Sequence, residues 1–320
     1  MKEIRISPAE DGIRLDRLLH KYMSLATTGF IYKMLRKKNI TLNGKKAKGD
    51  ERLATGDVVT LYLSDDTISG FQDRSEVKKD IDKDFPDLEI DILYEDDNII
   101  IANKPAGILS QKSKVSDVSM NEYLKNYCLR HCQGDGLFTP SICNRLDRNT
   151  SGIITFGKTL AGSRGLSKLF KDRTIDKYYI ALVSGETDEE KRISDYLIKD
   201  EKENRVKITD RPEEGALPIE TEYRPLVWGG GYTLMEIKLI TGKSHQIRAH
   251  LAAKGYPVIG DRKYGVSRFS AKHQMLHAAR IVFPEDMTGV FSGLSGREIC
   301  AKLPEDFEKI VNKLYPEFIL

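Results

Sequence analysis

Three stretches of the chain hold more charged and hydrogen-bonding side chains than a folded core requires. NRLDRNTSG, residues 144–152, sets Arg145 two positions before Asp147 and closes on Thr150-Ser151-Gly152. KYYIALVSG, residues 177–185, places Lys177, Tyr178 and Tyr179 at the head of a strand-like run. LITGKSHQIRAHLAAKGYPVIGDRKYG, residues 239–265, carries Arg248 among two histidines and several cations. One ionised carboxylate, an arginine or two and an aromatic suit nucleophilic or acid–base work at a single centre. Such work needs a nearby cation, because an opposite charge within ~4–6 Å favours the ionised acid, and an arginine can also orient the carboxylate through paired hydrogen bonds.

Other chemistries fail on spacing. TGKS at 241–244 resembles the end of a phosphate-binding loop, but that loop needs a glycine five positions before Gly242, where Ile237 stands. His245 and His250 are five apart, so a helix does not aim both at one metal, and HExxH is absent. There is no G-x-S-x-G elbow and no G-x-G-x-x-G loop; GGG at 229–231 reads as a turn. Cys128, Cys132 and Cys143 lie near His131, with Cys300 far away, but two close ligand pairs at zinc spacing are missing. The cysteines are expected to be free thiols, and His131 and His273 are assigned no role. What survives is an enzyme without cofactor or metal.

The elements that must position these groups begin with a small basic head. Leu15, Leu18, Leu19, Tyr22 and Met23 share one face at helical spacing, as do Phe30, Ile31, Met34 and Leu35 in a second helix that Thr27 or Thr28 can cap. Lys33, Arg36 and Lys37 form a stripe on that second helix. Asn43-Gly44 then predicts a hairpin, since a type I′ turn needs positive φ at both positions, and Lys45, Lys46 and Lys48 follow it. A strand over GDVVTLYL closes the head at residue 63.

Residues 64–87 are polar and acidic and read as a flexible linker. The body, 88–320, shows strands at 88–92, 99–102, 152–159, 176–185 and 232–242, and a helix over SHQIRAHLAAK with Ser244 as N-cap and Gly255 as stop. Many strands, few helices and no βαβ rhythm imply an α+β body on a mixed or antiparallel sheet.

Charge is unevenly spread. Residues 1–63 hold 13 Lys+Arg against 7 Asp+Glu (13 − 7 = +6), residues 64–97 hold 4 against 13 (−9), and the rest 34 against 28 (+6), summing to the chain's +3. A basic head and body suit a polyanionic partner. No apolar run approaches the ~20 residues of a membrane span, and MKEIRISPAEDG has no apolar signal core. A cytoplasmic location without membrane contact is expected.

The motifs taken together resemble the RluA-type pseudouridine synthases: NRLDRNTSG their R-L-D-x-x-T-S-G signature, DKYYIALVSG their K-x-Y-x-A-x-V strand, and residues 239–265 their T-G-[RK]-[ST]-H-Q-I-R-x-H-L stretch. NKPAG and QMLHAARIVFP resemble flanking family segments. The head resembles the S-four-type RNA-binding domain. The resemblance implies that Asp147 is catalytic, that Tyr179 packs on the target base and is a candidate for proton transfer, and that Arg248 pairs with the aspartate. It implies that Arg145 displaces the target uridine from its stack. Asn144 stands where the family usually has His. Asn144, Thr150 and Lys104 join Arg145 as substrate-binding candidates in the body; Lys33, Arg36, Lys37 and Lys45 are those of the head. The expected activity is isomerisation of uridine in structured RNA, with large-subunit ribosomal RNA or its precursor as partner, by a monomer. The rival reading is a non-catalytic RNA-binding or ribosome-assembly protein on the same fold.

Overall fold

In a computed structural model of the chain, residues 1–71, 88–114, 116–131, 138–200, 203, 205–265 and 271–318 are described. The head sheet holds β1 (Lys2–Arg5), β2 (Ile40–Leu42), β3 (Lys45–Lys46) and β4 (Val58–Leu61) in the order β1-β4-β2-β3. Helices α1 (Leu15–Tyr22) and α2 (Thr28–Arg36) bury Leu15, Leu18, Leu19, Ile31, Met34 and Leu35 against it. The Thr27 hydroxyl accepts from the Phe30 N–H at 3.2 Å and so caps α2. Asn43 (φ 49°) and Gly44 (φ 72°) make the turn, and Asn43 is pinned from outside: its amide donates to Asp57 at 2.8 Å and accepts from the Val58 N–H at 2.8 Å.

The flexible linker expected from residue 64 begins too early. Asp65–Gly70 forms helix α3, capped by Ser64, whose hydroxyl accepts from the Thr67 N–H at 3.2 Å. Asp65 and Asp66 sit in its first turn, where the helix dipole favours negative charge. Ile68 is buried in the head core, and the Phe71 ring lies 4.5 Å from that of Phe30. Acidity masked a capped amphipathic turn. Residues 72–87 of the expected linker lie outside the described residues.

The body sheet comprises β5 (Asp91–Glu95), β6 (Ile99–Lys104), β7 (Ser141–Ile142), β8 (Ser151–Gly157), β9 (Asp176–Ser184), β10 (Lys191–Asp200), β11 (Arg205–Thr209), β12 (Leu217–Gly229), β13 (Tyr232–Leu239), β14 (Leu276–Val282) and β15 (Glu298–Cys300). Its order is β11-β10-β12-β13-β9-β14-β8-β6-β5, with β15 beside β14 and β7 beside β8. The pairings are antiparallel except β14 with β8, so the sheet is mixed and the body α+β. Around it stand α4 (Met120–His131), α5 (Leu160–Asp172), α6 (Gln246–Ala253) and α7 (Glu305–Leu314). The run Ile99 to Ala102 is wholly buried because both faces are covered: Ile100 and Ala102 face α4, while Ile99 and Ile101 face α5.

At the centre the parallel pair is held very close. Gly152 has φ +110°, and a Cβ there would lie 2.2 Å from the Ala278 carbonyl oxygen. Only glycine fits, both for its φ and for its lack of a side chain. This start of β8 ends the loop that carries Asp147.

Candidate active site

The loop between β7 and β8 is fixed from below by groups that the sequence reading had placed on the substrate. Asn144 accepts from the Thr155 N–H (2.7 Å) and hydroxyl (3.0 Å) and donates to the Ile153 carbonyl (3.2 Å). Thr150, 3 % exposed, accepts from Gln274 Nε2 at 2.6 Å. Lys104, with no exposed surface, donates from Nζ to the carbonyls of Pro105 (2.8 Å), Ile108 (2.8 Å) and Arg148 (3.1 Å). Lys104 is a correction: its ammonium donors are occupied inside the fold, where an unmet hydrogen bond costs ~1–3 kcal/mol, and it does not line the cleft, whereas Asn144 and Thr150 do. All three tie the NKPAG loop, the RLDR loop and the sheet into one floor.

Asp147 stands on that floor with its side chain 25 % exposed. Arg248 Nη1 donates to its Oδ2 at 2.6 Å. The expected Asp–Arg pair is therefore formed, from β8's leading loop and from α6. Asp261, whose side chain is fully buried, grips the other side of the guanidinium at 2.6 Å (Nε) and 2.8 Å (Nη2). It also accepts from the backbone N–H of Lys263 (2.8 Å) and Tyr264 (3.3 Å). Burial opposes both charges, but the two carboxylates raise Arg248 above its ordinary value, and Arg248 with the backbone donors holds Asp261 below the usual carboxylate range. Arg248 is thus a fixed cation whose remaining N–H edge is presented to Asp147.

His245 lies on the other side, with Nε2 4.0 Å from Asp147 Oδ1 and Nδ1 3.0 Å from the Tyr264 hydroxyl. Ser244 does not cap α6 as expected. The helix starts at Gln246, His245 occupies the cap in the left-handed region (φ 56°), and Gln246 Oε1 accepts from the Lys243 N–H (3.1 Å) and the Thr241 hydroxyl (2.9 Å) instead. That turn is what swings the imidazole toward the carboxylate. Burial lowers the His245 pKa, the Asp147 charge opposing it.

Strand parity decides between the tyrosines. Tyr179, opposite Ile237 of β13 and Ala278 of β14, faces the cleft among Leu146, Met235, Ile247 and Leu276. Tyr178 points to the opposite face, where the Arg280 guanidinium lies 3.8 Å from its ring. Tyr179 is 8 % exposed; burial first and the Asp147 charge second push its phenol above the ordinary value, so it is neutral at physiological pH.

The cleft over these groups has a volume of about 770 Å³ and is lined by Lys112, Arg145, Arg173, Lys177, Arg205 and Lys243, among others. Arg145 is exposed there and has no ion pair among the described residues. Lys33, Arg36, Lys37 and Lys45 are exposed on the head and do not line the cleft. Such a cleft suits a polyanion with one unit inserted. Among the described residues no three His, Cys, Asp or Glu side chains are placed to hold a metal, and no helix is long and apolar enough to cross a membrane. Cys143 turns its thiol to the Ser141 and Ser163 carbonyls at 3.7 and 3.8 Å, Cys128 is buried, and Cys132 lies outside the described residues. Asp261, Tyr264 and His245 were missed as functional positions. They stand within the third stretch, but nothing in their spacing says that an acid thirteen residues beyond Arg248 closes back on it.

Fold and site define an α+β protein that holds one carboxylate against a fixed arginine in a cationic cleft. Residues 98–253 match the family model described as RNA pseudouridylate synthase. The ribosomal large subunit pseudouridine synthase C of Vibrio vulnificus is 31 % identical over 316 residues, covering 95 % of this chain and 93 % of that protein. The protein of the same name from Rickettsia bellii is 31 % identical over 307 residues, covering 93 % and 96 %. Among solved structures, human RNA pseudouridylate synthase domain containing 4 shares the fold at TM-score 0.58 and 20 % identity, covering 70 % of this chain and 92 % of that one. The chain belongs to the RNA pseudouridine synthase family, and it is an isomerase acting on RNA.

Proposed function

We propose that the chain isomerises specific uridines of large-subunit ribosomal RNA, with Asp147 as its catalytic acid. The observation that carries the site assignment is the Asp147–Arg248–Asp261 chain of contacts, in which a fully buried carboxylate fixes an arginine that in turn addresses a partly exposed one. The choice of RNA rests on the relatives' names. The rival reading, an RNA-binding protein without activity, leaves that arrangement without purpose, since a bare carboxylate repels a polyanion.

The reaction breaks the bond from uracil N1 to C1′ of the ribose, turns the base, joins C5 to C1′, releases the C5 proton and leaves N1 carrying a proton taken up in its place. Nothing is consumed. Asp147 acts at the sugar, at the base or in forming a glycal, and Arg248 orients it in each case. Tyr179, neutral and buried beneath the cleft, supplies a flat surface and one O–H for the displaced base. Extruding a base costs a few kcal/mol. Arg145, free at the cleft wall, takes the place the base leaves or its flanking phosphate. The lysines and arginine of α2 and the β2–β3 hairpin hold the backbone further out. We read the protein as a cytoplasmic monomer.

Tritium release from large-subunit ribosomal RNA carrying uridine labelled at C5 tests this reading. Release, with new pseudouridines mapped to defined positions, supports it. Binding without release, together with an unchanged pseudouridine map in cells lacking the protein, would establish the rival.

A further inference from the structure

Where the head meets the body, two arginines converge on one carbonyl oxygen. Arg164, exposed on α5, donates from Nη1 to the Gly12 carbonyl at 3.0 Å. Arg52, exposed on the head, donates from Nη1 to the same oxygen, also at 3.0 Å. Arg17, exposed on α1, adds to the positive field: after burial, the charges of Arg52 and Arg17 lower the Arg164 pKa. Among the described residues none of the three has an ion pair. Three nearby acids are engaged elsewhere, among them Glu51, which accepts from the Lys48 N–H (2.6 Å) and the Gly49 N–H (2.7 Å). Asp16 is bound by Arg14 (2.6 and 3.1 Å), the Tyr32 hydroxyl (3.0 Å) and the Arg17 N–H (2.8 Å), and Asp11 by the Thr55 N–H (2.8 Å) and hydroxyl.

The fold builds this approach rather than merely permitting it. Leu160, one turn before Arg164, packs against the head core, so α5 is the element on which the head rests. Gly12 has φ +75°, and a Cβ there would stand 3.0 Å from Arg164 Nη1. A carbonyl oxygen satisfies one donor from each of two guanidiniums but neutralises neither. Each guanidinium has five N–H donors, of which Arg52 and Arg164 each direct one to this oxygen. Repulsion among like charges at a surface is relieved by an anion with several acceptors, and guanidinium clusters match phosphate in charge and geometry.

We propose that Arg52 and Arg164 form a phosphate site at the head–body seam, which takes a backbone phosphate of the RNA substrate. The site rests on the reading of the chain as an enzyme of large RNA. Its consequence is that RNA spans both parts: the α2 stripe follows one segment, the seam grips the backbone, and the cleft receives the target.

The test measures binding of a large-subunit ribosomal RNA transcript to the full-length protein between roughly 0.05 and 0.3 M salt, together with tritium release. Loss of one phosphate contact lowers the slope of log Kobs against log salt by about 0.7–0.9. The Arg52→Gln/Arg164→Gln pair is expected to show that decrease with an unchanged melt. Arg164→Lys keeps most of the slope, because the charge stays. Lys309→Gln, an exposed change on α7, leaves it unaltered. A wild-type slope in the double variant, or an equal decrease in Lys309→Gln, would overturn the site. Inorganic phosphate at constant ionic strength separates the sources. If it raises the melt of wild type but not of the double variant, while the RNA slopes agree, the site holds a free anion and the proposal fails. Failure of the seam alone leaves tritium release intact; failure of the functional reading abolishes release in wild type.

Discussion

Asp261→Asn isolates the support of the catalytic carboxylate from the carboxylate itself. Asp261 does not line the cleft; it accepts two donors from Arg248 and two from backbone N–H groups. Asparagine keeps the volume but turns an NH2 toward one of those donors, so at least one charge-assisted bond is lost, at ~1.5–3 kcal/mol each. Stranding a buried charge outright costs ~3–5 kcal/mol, but Asp147 still faces Arg248 at 2.6 Å. A loss of about 3 kcal/mol follows, at the low end of that range. The guanidinium then swings on its remaining partner, and Asp147 moves with it. A displacement of ~1 Å at a reacting group costs about 10²-fold in rate. Denaturant titration and single-turnover tritium release read the two effects separately, and RNA affinity serves as control because no phosphate contact is altered. A variant that loses the expected stability but keeps kcat within about twofold would refute the idea that Asp261 acts on Asp147 through Arg248.

Tyr179→Phe removes one O–H from a buried ring and is expected to lower kcat by roughly 10²–10⁴-fold with a melt close to wild type; activity within a few-fold would limit Tyr179 to stacking. Gly152→Ala combines a positive φ with the approach to Ala278 and is expected to cost about 3 kcal/mol or more, measured by chemical unfolding. Lys104 gives a pH test: burial takes its pKa down to about 7, Asp147 opposing, while an unfolded lysine titrates near ~10.4. Between those values the unfolded chain binds more protons, so wild-type stability rises with pH from about 7 to about 10 relative to Lys104→Met. The slope is at most about 1.4 kcal/mol per pH unit. Parallel stability curves for the two proteins would contradict it.

What was legible in the sequence follows from periodicity and from motif. Alternation over KYYIALVSG says that one of Tyr178 and Tyr179 faces the cleft, the family resemblance picks Tyr179, and Ile247 with Leu251 place Arg248 at a buried edge. Three helices of the body escaped. On α4, Asn121 and Glu122 are buried, so its inner face is not uniformly apolar. On α5, Gly162 and Gly165 look like helix breakers, yet each makes room for a neighbour: Asn98 O would lie 2.2 Å from one Cβ and the Phe291 ring 2.0 Å from the other. On α7, Phe307, Ile310, Val311 and Leu314 form an apolar stripe at helical spacing that the sequence reading passed over. The role of Lys104 was misjudged because a polar side chain in a motif shows its chemistry, but not whether the backbone has already claimed its hydrogen bonds.

The central claim is that Asp147, held by Arg248, carries the chemistry. Asp147→Asn compared with wild type, in tritium release from the same labelled RNA and in RNA binding, tests it most directly. The account predicts no release above background from the variant and RNA affinity close to wild type. Release by Asp147→Asn at the wild-type rate would contradict it.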